Sequence, residues 1–211
     1  MIVPIRKMGA PCLLIRSPEV AAAEFNQPEL LQLIQDLQDT QHHLGGVGIA
    51  APQIGIDKRV VLIEYYQRDI TRYANVGDCP LRVIINPEIE FLTDEHAVFN
   101  EGCLSLPGLR GEVSRPVGIA YKYYDQFGEL HSGEDFGFFA RVMQHECDHL
   151  DGILYPFRMQ DLRRLAFIDA ETSDAASSRF YAYICGARFI TRNCCADGNF
   201  PTFLGNESPL G

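Results

Sequence analysis

The 211-residue sequence predicts an α+β fold in which mixed, mostly antiparallel sheets pack around one central helix. Three observations carry this. Segments rich in Val, Ile and aromatic residues dominate the first two-thirds of the chain. One amphipathic helix is legible early. A second helix, late in the chain, carries His145-Glu146-Cys147-Asp148-His149, a His-Glu-x-x-His pattern typical of metal-dependent hydrolases.

The elements follow in order. Residues 28–44 read as a helix because Leu30, Leu33, Ile34 and Leu37 recur at helical spacing, Pro28 suits the first turn and Gly45-Gly46 ends it. Residues 59–65 and 82–92 read as strands, the second interrupted by Asn86-Pro87, which favours an edge position or a bend. Residues 117–124 form a further strand, Gln126-Phe127-Gly128 a turn, and residues 129–132 return as a hairpin. The helix carrying the His pattern spans about 137–151, with Gly152 just past its end. Another helix is expected over 160–170. From Ser173 onward periodicity is lost, so residues 1–170 are expected to form one catalytic domain and 171–211 an atypical extension.

Composition narrows the function. A formal net charge of −10 argues against general nucleic-acid binding, which needs a basic surface to displace counterions. The local cluster Arg158, Arg163 and Arg164 reads as a solvated helix face. No apolar run is long enough to span a bilayer. Arg6 and Lys7 fall within the apolar patches near the start, together with Pro4 and Pro11, which does not match an export signal. The seven cysteines are odd in number and irregularly spaced, with no Cys-x-x-Cys pair, so neither a disulfide framework nor a zinc knuckle is expected. The protein is expected in the cytoplasm.

Positions four apart on a helix lie within roughly 40° of one another, so His145 and His149 can reach one divalent metal. Glu146 projects near the same face, placed to handle the proton of a reacting water. Such sites usually take a third protein ligand. The metzincin continuation requires His at position 155, which is Tyr. A thermolysin-like zinc endopeptidase would use a downstream carboxylate, for which Glu171 is the candidate. Upstream, His42, His43, His96 and His131 sit in polar surroundings. Cys103 lies in Glu101-Gly102-Cys103-Leu104-Ser105-Leu106-Pro107-Gly108, where Gly102 permits close backbone approach and Pro107-Gly108 favours a turn. That setting makes it a good thiolate ligand.

The chain resembles the peptide deformylase family in three motifs. Gly46-Val47-Gly48-Ile49-Ala50-Ala51-Pro52-Gln53 is similar to the first, Glu101-Gly102-Cys103-Leu104-Ser105 to the second, and Gln144 through Gly152 to the third. They occur in family order over roughly the first 165 residues. The resemblance implies removal of the formyl group from the N-terminal methionine of new polypeptides. It also implies one divalent metal, Fe²⁺ physiologically with Zn²⁺, Ni²⁺ or Co²⁺ as substitutes, on Cys103, His145 and His149. Glu146 would be the general base, and the Gln53 side-chain amide with the Leu104 backbone N–H would stabilise the oxyanion. Val47, Phe138 and Val142 would wall the methionine slot. Gly48, Gly108 and the neighbouring backbone would bind substrate, in part as an added strand. Asp148 would either orient an imidazole or face solvent. There are departures: Tyr155-Pro156-Phe157-Arg158 is a subgroup variant, the segment around residues 65–80 is longer than in the shortest members, and the tail lacks the family's usual C-terminal helix. Any ribosome contact is therefore expected to be transient proximity.

Overall fold

The helix α1 (Pro28–Leu44) forms as its spacing predicts: Leu30, Leu33, Ile34 and Leu37 are buried, and Gly45 closes the end in a left-handed conformation, φ 66°. The structure, a computed structural model, describes residues 1–70 and 76–172. The expected extension, beyond its first two residues, lies outside the described residues, as do Cys194 and Cys195.

Two sheets are built from β1 (Gly48–Ala50), β2 (Val60–Tyr65), β3 (Cys79–Phe91), β4 (His96–Cys103), β5 (Leu106–Pro116), β6 (Ile119–Tyr124), β7 (Leu130–Asp135) and β8 (Ala166–Phe167). The first has the order β1-β2-β3-β6-β7 and the second β4-β5-β8; each pairing is antiparallel. On β2 the run Val60-Val61-Leu62-Ile63 is fully buried because the sheet is covered on both faces. Val60 and Leu62 pack with α1, whereas Val61 and Ile63 pack with α2 (Phe138–Leu150).

α2 is the central helix. Phe139, Val142, Met143, Cys147 and Leu150 join the sheet core, while Gln144, Glu146, Asp148 and His149 are buried polar residues on the same helix. A third cluster, Leu13, Leu106, Val113, Leu154 and Tyr155, forms under the smaller sheet. Complete burial of Met143 and Leu150 contributes about 1.5–3 kcal/mol each.

Two expectations are corrected and one pair of alternatives is decided. No helix covers 160–170: a 3-10 turn at Leu162–Arg164 leads into β8, which pairs with Leu109 and Arg110 of β5. Leu162, Phe167 and Ile168 stay exposed and only Leu165 packs on a core cluster, too little apolar burial to hold a helix there. Of the two readings of Asn86-Pro87 the bend holds, at the point where pairing of β3 with β2 stops. β3 is flanked by β2 and β6, and the register shift between Ile85 and Glu88 absorbs the proline while Asn86 takes φ 50°. The segment around Cys103 is a hairpin, with Leu104-Ser105 as its turn; Pro107 and Gly108 lie inside β5. No helix among the described residues is long and apolar enough to cross a membrane.

Candidate active site

Cys103 ends β4, and His145 and His149 stand one turn apart on α2. One ligand atom from each lies within 4.8 Å of the others. Cys103 Sγ is 3.1 Å from His149 Nε2. His145 Nδ1 bonds Glu101 Oε2 at 2.9 Å, which leaves Nε2 as its available ligand atom. One thiolate and two imidazoles suit a borderline-soft divalent ion, so the donor set fits a catalytic metal of the Zn²⁺, Fe²⁺, Ni²⁺ or Co²⁺ kind. Burial would raise the Cys103 thiol, but the charge of His149 and the hydrogen bonds of both histidines outweigh it and hold the thiol well below its usual range. His145 is driven the other way: burial is overcome by Cys103 and Glu101, and its imidazole binds its proton well above the ordinary value. The Glu171 side chain lies outside the described residues.

Glu146 is buried, and its Oε2 has no hydrogen-bond partner. Burial pushes its carboxyl up to about 7, against the opposing charges of His145 and His149. The close neighbour is backbone: a Cβ on Gly48 would lie 2.4 Å from Glu146 Oε1. Gln53 is also buried. Its Oε1 accepts from Ala50 N at 2.8 Å, and its Nε2 donates to Ser105 Oγ at 3.2 Å and Cys103 Sγ at 3.4 Å. The amide is thus fixed with its donor side at the thiolate. The chain's first residues brace this corner, with Arg6 N donating to Gln53 O and Met8 N to Ser105 O.

A cavity of about 920 Å³ opens over these groups. Val47, Gly48, Leu104, Gly108, Phe138 and Val142 line it, as do Gln53, Cys103, His145 and Glu146. The backbone expectation is narrowed. The carbonyl of Val47 accepts from Glu64 N at 3.1 Å and that of Gly108 from Ile168 N at 2.8 Å, because β2 and the turn after β8 have reached them. What approaches Gly102 so closely is the Arg110 guanidinium.

Asp148 neither orients an imidazole nor faces solvent. It is buried and accepts from Arg115 at 2.8 Å and from Arg158 at 2.6 Å. Glu101 orients His145, and Arg115 grips Glu101 through two bonds of 2.7 and 2.9 Å. His145 and Arg115 overcome the effect of burial and hold the Glu101 carboxyl down at about 2. Sequence reasoning missed Glu101, Arg115 and Ser105. One signal was available for Glu101: it precedes Cys103 by two on a strand, the spacing that shares a face. Arg115 gave none, since its carboxylate partners lie 14 and 33 positions away. The basic cluster is neutralised by acidic partners, Arg158 by Asp148, Arg163 by Asp161 and Arg164 by Glu112. His42, His96 and His131 bond Glu64, Asp94 and Asp125, away from this cavity.

The sequence model of the polypeptide deformylase family matches residues 2–165. Peptide deformylase 2 of Ralstonia nicotianae is 48% identical over 169 residues, covering 80% of this chain and 93% of the relative. Peptide deformylase 1 of Nitrosomonas europaea is 46% identical, covering 80% and 94%. Among solved structures, the Met-Ala-Ser-bound class I type b peptide deformylase of Acinetobacter baumannii superposes with a TM-score of 0.71 at 38% identity, covering 75% of this chain and 99% of that one. The peptide deformylase of Plasmodium falciparum, in complex with an inhibitor, superposes with a TM-score of 0.63 at 32% identity, covering 75% and 90%. These relatives give the endopeptidase alternative no support. With the motifs, the α2-centred fold and these relatives in agreement, the chain belongs to the polypeptide deformylase family, metal-dependent hydrolases that remove the N-formyl group from newly made polypeptides.

Proposed function

We propose that the chain performs this deformylation through Cys103, His145 and His149 as metal ligands, with Glu146 as general base. The observation that carries the reading is the convergence of those three donors beside a buried carboxylate whose Oε2 has no partner. A divalent metal there supplies Lewis acidity, polarising the formyl carbonyl and acidifying water. Glu146 takes the proton from the attacking water and returns it to the leaving amine. A carboxyl near neutrality suits both transfers. The Gln53 amide, neutral and fixed by Ala50 and Ser105, exchanges its long 3.4 Å contact with Cys103 Sγ for the developing oxyanion without competing for the proton on Glu146; the Leu104 backbone N–H is the second donor. Val47, Phe138 and Val142 bound an apolar slot for the methionine side chain, with Gly48 and Gly108 on the substrate path.

The physiological ion in this proposal is Fe²⁺, with Zn²⁺, Ni²⁺ or Co²⁺ able to occupy the same donors. The partners are N-formylmethionyl nascent chains, met in transient proximity to the ribosome in the cytoplasm. The net charge of −10 favours no direct nucleic-acid contact. The test is formate release from formyl-Met-Ala-Ser by anaerobically purified, Fe²⁺- or Ni²⁺-loaded protein, beside an acetyl-Met control. Glu146→Ala is expected to keep metal and fold and to lose turnover by roughly 100- to 10,000-fold. Near-normal turnover in that variant removes Glu146 from the proposed role.

A further inference from the structure

The hold on His145 extends well beyond Glu101. Arg115 commits Nε and Nη2 to Glu101 and Nη1 to Asp148. Asp148 Oδ1 accepts from Arg158 Nη2 at 2.6 Å, and both its oxygens lie 3.2 Å from Arg158 Nε. A ladder of alternating charge thus runs from His145 Nδ1 through Glu101, Arg115 and Asp148 to Arg158. Glu101, Arg115 and Asp148 are at most 7% exposed, whereas the Arg158 side chain is 47% exposed. The other histidine has no such support, since His149 Nδ1 is buried without a hydrogen-bond partner.

We propose that Arg158 is a positioning residue for the metal centre, acting through Asp148, Arg115 and Glu101 to fix the His145 ring. The inference rests on reading Cys103, His145 and His149 as a metal site. Its physical basis is competition between two buried carboxylates for the Arg115 guanidinium, Glu101 having only the longer 3.3 Å ion pair with Arg141 besides it. With Arg158 in place, Asp148 has its own cation, and Arg115 stays forked on Glu101. Without Arg158, Asp148 is left under-neutralised in a buried site and draws Arg115 towards itself. Glu101 then loses part of its clamp, and the imidazole loses its fixed partner. The turn Tyr155–Arg158 makes the arrangement compact: Pro156 lies in its first positions, the Tyr155 ring stacks 6.3 Å from that of His145, and Arg158 closes it. The Tyr-Pro-x-Arg variant thereby joins ring packing and outer cation in one short element.

A half-exposed Arg–Asp pair is ordinarily worth little to stability, so the readout has to be the metal. Co²⁺ is titrated into folded apo-protein against a chromophoric chelator, and the thiolate-to-Co²⁺ charge-transfer band is recorded. Arg158→Gln is expected to weaken Co²⁺ binding roughly 10-fold or more and to alter the band. Arg158→Lys, which keeps charge without the fork, falls between it and the wild type and serves alone if the Gln variant does not fold. Arg163→Gln, whose partner is the surface Asp161, changes neither quantity. The effect of Arg158→Gln is expected to vanish in a Glu101→Gln background, which a merely structural role does not predict. Unchanged Co²⁺ affinity and band in the Arg158 variants, or additive effects with Glu101→Gln, overturn the proposal. A wild-type protein that binds no Co²⁺ through a thiolate overturns the metal-site reading, and this inference falls with it.

Discussion

At the scale of single residues, Cys103 and Gly48 act in opposite ways, one by what it donates and the other by what it lacks. The histidines favour the Cys103 thiolate, and a thiolate is the form that binds metal. Cys103→Ala is expected to leave the protein folded and to carry substoichiometric metal after dialysis, read by elemental analysis; full metal content would place the ion on other ligands. Gly48 lets the Glu146 carboxylate lie against backbone. Alanine there brings Cβ to within 2.4 Å of Oε1, so the carboxylate must shift. Misplacing a reacting group by about 1 Å costs on the order of 100-fold in rate. Gly48→Ala is therefore expected to lower kcat by about that factor with Co²⁺ affinity unchanged, and a kcat near that of the wild type would mean that Glu146 has room to adjust.

At the scale of elements, α2 has to be held at its C-terminal end as firmly as along its apolar faces, because His149 lies in its last turn. Arg59 donates to the Leu150 carbonyl at 3.2 Å and to Asp151 at 2.7 Å, placing a cation where helix carbonyls concentrate negative potential. Ser17 N donates to the same carbonyl at 2.8 Å. Gly152 turns the chain at φ 73°, where a Cβ would meet the Leu14–Ile15 backbone at 2.7 Å. Gly152→Ala combines left-handed strain with a backbone clash. It is expected to cost roughly 2–5 kcal/mol in denaturant unfolding, while a change below about 0.5 kcal/mol would show that the two segments separate easily. The boundaries of α1 and α2 were legible in the sequence because 3.6-residue spacing and glycine stops are local signals. The β4–β5 hairpin was not, because its glycines and alternating charges resemble loop composition. Its charges, Glu101 and Arg115, are buried only because they meet each other and Asp148.

At the scale of the whole molecule, three apolar clusters, all within the first 165 residues, form on α2, on α1 and under the smaller sheet, and a cavity opens over Cys103, His145 and Glu146. A protein ending at Ala170 is expected to fold cooperatively and to release formate from formyl-Met-Ala-Ser within about 3-fold of the full chain, a factor worth under about 1 kcal/mol. Loss of folding or of activity in that truncation would assign the later residues a part in the domain.

The sequence by itself determined the central helix and the family, and it set His145, Glu146 and His149 together on that helix with Cys103 in a second motif, because all of these are written in short contiguous patterns. The tertiary structure decided what surrounds them. It set Glu101 rather than Asp148 on His145, turned the Gln53 amide towards Cys103, replaced the expected helix at 160–170 with a strand on β5, and drew Arg158 onto the buried Asp148. These outcomes depend on which buried charges find partners far along the chain, and desolvation makes such pairings all-or-none.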